Sequence, residues 1–253
     1  MYAPPLTTTF VPSTRNSLNP ILVVGDEEGT VSYIDGQKST FHSKNSRFKS
    51  SIEAHENAIF DLKFNEDSRY FCTASADQEI RLWDTETKTN LGSCQGHTGS
   101  VKSLSWSGIN ENLFASASRD GSIKIWDIRL PNTSNNIIDN ECYERELEPK
   151  LSIDKAHASL IDKRKRTNIG RSVTRSVTTI SFLNNSDHLI ASAGSANGSV
   201  KIWDIRSLTN KRTKLSKPAF EYIDPTESNG RPHGVSNIQV DGNWIWSLCT
   251  NSM

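Results

Sequence analysis

The sequence predicts an all-β protein assembled from repeated sheet units, and three observations carry that prediction. One phrase recurs: Ile80-Arg81-Leu82-Trp83-Asp84, Ile123-Lys124-Ile125-Trp126-Asp127 and Val200-Lys201-Ile202-Trp203-Asp204. Within it apolar and polar residues alternate, with Ile123 and Ile125 set against Lys124, and Val200 and Ile202 against Lys201, which is the period of a β-strand. Ahead of the last two copies stand Asp120-Gly121 and Asn197-Gly198, pairs suited to tight hairpins that need positive φ.

Each phrase ends a longer unit. Upstream of Trp83 lie Asp77, Thr73 and His55; upstream of Trp126 lie Asp120, Ser116 and His97; upstream of Trp203 lie Asn197, Ser192 and, across a long gap, His157. This spacing resembles the WD40 repeat, one four-stranded blade of a β-propeller. The resemblance implies that the histidine, hydroxyl, carboxylate and indole are joined by hydrogen bonds within each blade, since a buried indole N–H and a buried imidazole both need partners. A Ser/His/Asp set also suits a hydrolase. A catalytic triad occurs once per site, however, and this set recurs once per unit, so it reads as structural. Asn197 in place of Asp forfeits a charge-assisted bond but keeps the turn.

The units fall in order along the chain. Residues 1–50 read as a degenerate first blade, with the apolar strand Ile21-Leu22-Val23-Val24, Tyr33 expected at the tryptophan position, Glu27 at the aspartate position and no matching histidine. Residues 51–90 and 91–130 each read as a blade, and 131–175 as inserted loops around His157. Residues 176–215 hold the strands of a fourth blade, and 216–253 an incomplete fifth, built from Val235–Val240 and Trp244–Leu248. At roughly 40–45 residues per blade, a seven-bladed ring needs about 300 residues. About four and a half blades are therefore expected here, in a chain that reads as a fragment or truncated product of a longer propeller.

Composition narrows the partners. Twenty-nine Lys and Arg are matched by 29 Asp and Glu, a net charge of zero that argues against wholesale attraction to nucleic acid or a membrane surface. No apolar run reaches transmembrane length, and no basic segment with an apolar run behind it opens the chain, so neither a membrane span nor a signal peptide is expected. Cys72, Cys94, Cys142 and Cys249 show neither metal-ligand spacing nor disulfide-like density, which suits an intracellular protein. There is no phosphate loop, metal-binding histidine pair or nucleophile elbow, so no cofactor, metal or catalytic residue is expected. The first insertion is acidic, with Asp139, Glu141, Glu144, Glu146 and Glu148. The second carries Lys163-Arg164-Lys165-Arg166, then Arg171 and Arg175: a nuclear-localisation signal, a contact for an acidic partner, or a solvated loop.

Function is read from the residues that follow the phrase. Two copies continue as Trp126-Asp127-Ile128-Arg129 and Trp203-Asp204-Ile205-Arg206, whereas the first ends Trp83-Asp84-Thr85-Glu86. An arginine two residues after the aspartate resembles the motif by which WD40 substrate receptors dock onto the adaptor of cullin-RING ubiquitin ligases. Asp127 and Asp204 would orient Arg129 and Arg206, whose planar guanidinium groups suit bidentate bonds. Pro4-Pro5-Leu6-Thr7-Thr8-Thr9-Phe10, Asp26-Glu27-Glu28-Gly29, the run His55–Leu62, Gly92–His97, and Ser176-Val177-Thr178-Thr179 with Ser192-Ala193-Gly194 are, in this order, similar to the denticleless/Cdt-two family of substrate receptors.

That resemblance implies a non-catalytic receptor subunit in the nucleus. It would join an adaptor, a cullin-four scaffold and a RING protein to mark proteins for degradation during replication and after DNA damage. Its substrates would be proteins, some of them bound to the sliding clamp on DNA, with no direct nucleic-acid binding expected. Glu86 departs from the pattern, so the second blade should not dock. The alternative is a general WD40 interaction scaffold in chromatin or signalling, where the arginines are surface residues without a dedicated partner. An enzyme built on a propeller would instead need a polar, convergent pocket at the central channel.

Overall fold

The computed structural model describes residues 3–35, 48–129, 145–157, 176–184, 186–195, 198–207, 217–223 and 234–250. The described residues form nineteen strands and one short 3-10 turn. The first blade is β1 (Pro5–Phe10), β2 (Ile21–Asp26), β3 (Thr30–Asp35) and β4 (Phe48–Glu53), paired in that order. The second is β5 (Ile59–Phe64), β6 (Tyr70–Ser75), β7 (Ile80–Asp84) and β8 (Asn90–Cys94). The third contains β9 (Val101–Trp106), β10 (Leu113–Ser118) and β11 (Ile123–Asp127). Two short strands follow, β12 (Glu146–Leu147) and β13 (Leu151–Ile153). β12 runs parallel to β8 as a fifth strand of the second blade, and β13 is the outer strand of the third. The fourth blade is β14 (Val177–Phe182), β15 (Leu189–Gly194), β16 (Ser199–Asp204) and β17 (Phe220–Ile223), and the hairpin β18 (Gly234–Asp241) with β19 (Trp244–Thr250) begins a fifth.

The blade boundaries expected at 50, 90, 130 and 215 all stop short, because each Trp-Asp phrase, like β3 of the first blade, ends the third strand and the outer strand still has to follow or finish. The correction is largest at the third blade. The stretch 131–175, expected to be inserted loops, contributes β12 and β13 in its described part, and β13 pairs Ile123 with Ile153 and Ile125 with Leu151.

The core lies between blades. One buried layer joins Val23, Val31 and Tyr33 of the first blade to Leu62, Phe71 and Trp83 of the second. Another joins Cys72, Leu82 and Cys94 to Leu104, Phe114 and Trp126, and a third joins Ile123 and Ile125 to Ile180, Ile190 and Trp203. Both faces of a middle blade are therefore covered. This is why Lys124 and Lys201, which alternate away from the apolar face, are also buried, with their ammonium groups donating to Ser152 Oγ and the Ala156 carbonyl. Neighbouring inner strands are also pinned by side chains that accept backbone N–H groups across the gap. Asp61 accepts from Leu104 (2.8 Å), Ser103 from Ile180 (3.3 Å), Ser105 from Phe182 (2.9 Å) and Thr179 from Ile238 (3.3 Å).

The repeated polar set closes within the blades. Trp83 Nε1 donates to Thr73 Oγ1 at 3.0 Å, Thr73 lies 2.8 Å from His55 Nε2, and His55 Nδ1 lies 2.7 Å from Asp77. In the third blade the distances are 2.9 Å for Trp126 to Ser116, 2.7 Å for Ser116 to His97 and 3.1 Å for His97 to Asp120. In the fourth, Trp203 to Ser192 is 2.8 Å and Ser192 to His157 is 2.9 Å; Asn197 lies outside the described residues. One tautomer satisfies every member. The imidazole Nδ1–H donates to the carboxylate, and the hydroxyl donates to Nε2 while accepting the indole N–H. Burial lowers the His97 pKa against the attraction of Asp120, which favours that neutral ring. Burial also opposes ionisation of Asp120, but hydrogen bonds from His97, Ser122 and the Thr98 N–H outweigh it and hold the carboxyl below its usual range.

Strand pairing corrects the reading of the first blade by one residue. Trp83 faces Phe71 and Trp126 faces Phe114, whereas the equivalent pair in the first blade is Ile34 facing Leu22. Ile34, not Tyr33, thus holds the tryptophan position, and Glu28, not Glu27, holds the aspartate position. Val24 stands where Thr73 and Ser116 carry their hydroxyls. Tyr33 instead enters the layer between blades, edge-on to Phe71, and its hydroxyl is buried with no hydrogen-bond partner among the described residues. Gly29 takes φ 89° at the first blade's hairpin, where a Cβ would sit 2.1 Å from the His55 carbonyl oxygen.

Candidate functional site

The two Trp-Asp-Ile-Arg phrases end β11 and β16, the third strands of neighbouring blades, so Arg129 and Arg206 leave the same rim of the propeller. The local sequence sets each turn. The Ile128 N–H donates to the Asn112 carbonyl and the Ile205 N–H to the His188 carbonyl, and both isoleucine side chains are buried. With the isoleucine anchored inward, the next residue is turned outward. Arg129 Nε donates to Asp127 Oδ1 at 2.9 Å and Nη2 to Oδ2 at 2.8 Å, a bidentate fork, and the Arg129 backbone N–H adds 3.2 Å to Oδ1. Arg206 repeats the fork on Asp204 at 3.2 and 3.1 Å.

The forks differ in their surroundings. The Asp127 side chain is 3% exposed and Asp204 25%, while their arginines are 58% and 66% exposed. Arg129, opposed by burial and aided by Lys150, holds the Asp127 carboxyl well below the usual carboxylate range. Arg206 likewise lowers the pKa of the Asp204 carboxyl, and Asp187 adds a further attraction for Arg206. Each arginine is thus a fixed, exposed planar cation on a buried or half-buried anchor. A guanidinium has five N–H donors and the fork on Asp127 uses two, so an outward edge of Arg129 is presented to a partner.

The second blade has the same turn with different chemistry. Asp84 accepts the N–H groups of Glu86 (3.0 Å) and Thr87 (2.8 Å) and the Thr87 hydroxyl (2.9 Å). Thr85 replaces the buried isoleucine, and its hydroxyl is buried with no hydrogen-bond partner among the described residues. No arginine stands at this position of the rim.

Two rim residues escape a reading of the phrase. Lys150 Nζ lies 3.1 Å from Asp127 Oδ2, and Arg145 Nη1 donates to the Ile128 carbonyl at 3.2 Å. They arrive with β12 and β13, so no local spacing marks them. The basic cluster Lys163, Arg164, Lys165 and Arg166 lies outside the described residues, as does Cys142. The His/hydroxyl/Asp sets are internal: Thr73, Ser116 and Ser192 are each 0% exposed, with the indole N–H on the hydroxyl oxygen, and cannot meet a substrate. Among the described residues no group of three or more His, Cys, Asp or Glu side chains suits a metal ion, and no helix is long and apolar enough to cross a membrane.

Comparison with known proteins agrees with this geometry. The family described as WD domain, G-beta repeat matches residues 46–84, 88–127 and 165–204, covering the three Trp-Asp phrases. The chain is 30% identical over 258 residues to the Denticleless protein homolog of Xenopus tropicalis, covering 98% of this chain and 34% of that protein. It is 28% identical over 259 residues to the human Denticleless protein homolog, covering 98% and 33%. It is 29% identical over 243 residues to Protein lethal(2)denticleless of Drosophila melanogaster, covering 92% and 30%. The chain therefore spans about a third of the length of these relatives. With its WD40 blades in place and this similarity running along nearly all of it, the chain belongs to the denticleless family of WD40-repeat proteins.

Proposed function

We propose that this chain is part of the substrate-recognition subunit of a cullin-RING ubiquitin ligase, non-catalytic itself, and that it docks the adaptor through Asp127, Arg129, Asp204 and Arg206. The observation that carries this reading is the pair of exposed guanidinium groups at one register position of adjacent blades, each oriented by its own aspartate. Orientation before binding lowers the ordering cost of association, which makes such arginines effective anchors at an interface. Family membership supports the rest of the proposal. The receptor would work in the nucleus, bring proteins to the cullin scaffold during replication and after DNA damage, and take some of them from the sliding clamp on DNA. The Lys163–Arg166 cluster would serve as the nuclear signal or as a partner contact.

The test is co-purification of the adaptor with the Arg129→Ala/Arg206→Ala double variant. The expected result is loss of adaptor with the fold retained and the unfolding midpoint only modestly lowered, because both arginines are exposed and Lys150 remains as a partner for the buried Asp127 carboxylate. Retention of adaptor by the double variant would falsify the docking role. Stable capture of other proteins, such as histone tails, without any ligase subunit would favour a general WD40 scaffold.

A further inference from the structure

The inner strands β1, β5, β9, β14 and β18 pack side by side and line a cleft of about 690 Å³ along the propeller axis. Strand register defines the end of this cleft opposite the arginine rim. In β5, β9, β14 and β18 a buried residue, Ile59, Val101, Val177 or Val235, is followed by one that lines the mouth, and in β1 the exposed Pro5 is followed by Leu6. Those mouth residues are Leu6, Phe60, Lys102, Thr178 and Ser236 in blade order, so Lys102 is the charged member. A second mouth position follows β2, β6, β10 and β15, where a backbone N–H bonds the residue just before or opening the inner strand. It is occupied by Glu27, Ala76, Arg119 and Ser195. Among the described residues both cations at these two positions therefore sit on the third blade, and the carboxylate at the equivalent position is two blades away.

We propose that this mouth is a docking site for an extended protein segment that presents an acidic side chain to Lys102 and Arg119. Three charged side chains line the cleft, and two of them, Asp61 and Lys63, lie 3.5 Å apart. Asp61 is further occupied by the N–H groups of Leu104 and Leu62. Lys102 makes no ion pair among the described residues; its ammonium instead rests on the Phe60 ring of the neighbouring blade, 3.1 Å from the centroid. Arg119 is exposed and close enough to Lys102 for the two like charges to repel. Burial and then Arg119 lower the Lys102 pKa, with no carboxylate acting in the other direction.

The contrast with the rim is informative. There each arginine has its own aspartate, whereas here two like charges are held together by the register of β9 and β10 and by an aromatic ring. A carboxylate placed between them would remove the repulsion and complete the site. The partner is a short acidic segment rather than a nucleic acid: among the described residues the cationic ground is confined to one blade and Glu27 stands on the same mouth, and the chain's net charge is zero. The inference is independent of adaptor docking, since it concerns the opposite end of the cleft.

The test is fluorescence anisotropy of the full chain with a labelled, extended peptide carrying a central pair of glutamates. Glutamine and phosphoserine versions of the same peptide run beside it. The glutamate peptide is expected to bind, to weaken as salt rises, and to lose about 5-fold or more in affinity with Lys102→Gln or Arg119→Gln. The glutamine peptide should not bind, and Arg129→Ala/Arg206→Ala should leave affinity unchanged. Lys102→Arg, which keeps the charge, should retain binding, which separates loss of charge from loss of fold. Equal binding of the glutamate and glutamine peptides, or unchanged affinity in both single variants, overturns the site. Binding of the phosphoserine peptide alone replaces the carboxylate with a phosphate as its ligand.

Discussion

The second and third blades share one interior and differ at both ends. Trp83, Thr73, His55 and Asp77 make the same bonds as Trp126, Ser116, His97 and Asp120, and the indoles stack alike on Phe71 and Phe114. Yet one rim turn carries Glu86 and the other Arg129, and one mouth carries Phe60 and Ala76 where the other carries Lys102 and Arg119. The polar network therefore specifies a blade and is silent about function. The proposed docking and peptide sites lie instead at positions the fold leaves variable between blades, the second residue after the Trp-Asp and the mouth of the inner strands.

The shared interior should be equally important in the two blades. Trp83→Ala and Trp126→Ala each empty a large buried volume and should each cost about 3–5 kcal/mol in denaturant unfolding. A cost confined to one blade would show that the networks are not equivalent. Thr73→Val and Ser116→Ala remove the hydroxyl alone and should cost about 1–3 kcal/mol, since a buried indole N–H and an imidazole lose their partner. Val24→Thr in the first blade, where neither indole nor histidine is present to meet the hydroxyl, should bring no comparable gain.

Acid should expose a further difference. The folded pKa values of His97, Asp120 and Asp127 are all lowered, so the unfolded chain binds their protons more readily. Their stabilisation is present above the ordinary ranges, about 6.5 for histidine and about 4 for aspartate, and is lost as pH falls below them. Unfolding midpoints measured down to mild acid should therefore fall, first through the histidine range and then through the carboxylate range. Asp127→Asn should flatten the second part of the profile.

The smallest effect on stability, and the sharpest on function, is expected at the rim. Glu86→Arg would offer the second blade an arginine, but Asp84 Oδ1 already accepts three donors from Glu86 and Thr87 and the turn lacks the buried isoleucine. The unfolding transition should stay where it is, and adaptor co-purification should rise little. A large rise would mean that the arginine alone, without its anchored turn, makes a docking position.

Much of the blade architecture is legible in the sequence because hairpins are local. Asp120-Gly121 and the alternating Ile123 and Ile125 announce a strand-turn-strand unit from a dozen adjacent residues, and the rim arginines follow from the same short phrase. The first blade shows the limit. Counting back from an aromatic residue picked Tyr33, but register is decided by which strands pair, and pairing put Ile34 in that place. Tyr33 is aromatic for another reason, the layer it shares with Phe71.

By itself, then, the sequence determined a repeated all-β unit, its internal polar set and the two arginines that mark a rim, because these depend on residues close together in the chain. Only the tertiary structure decided that 151–153 completes the third blade, that Lys150 joins Arg129 on Asp127, and that Lys102 is left on an aromatic ring beside Arg119. Each of these joins segments far apart in sequence, across a blade or between blades. Their partners are chosen by which surfaces meet once strands are stacked, a choice that no local spacing encodes.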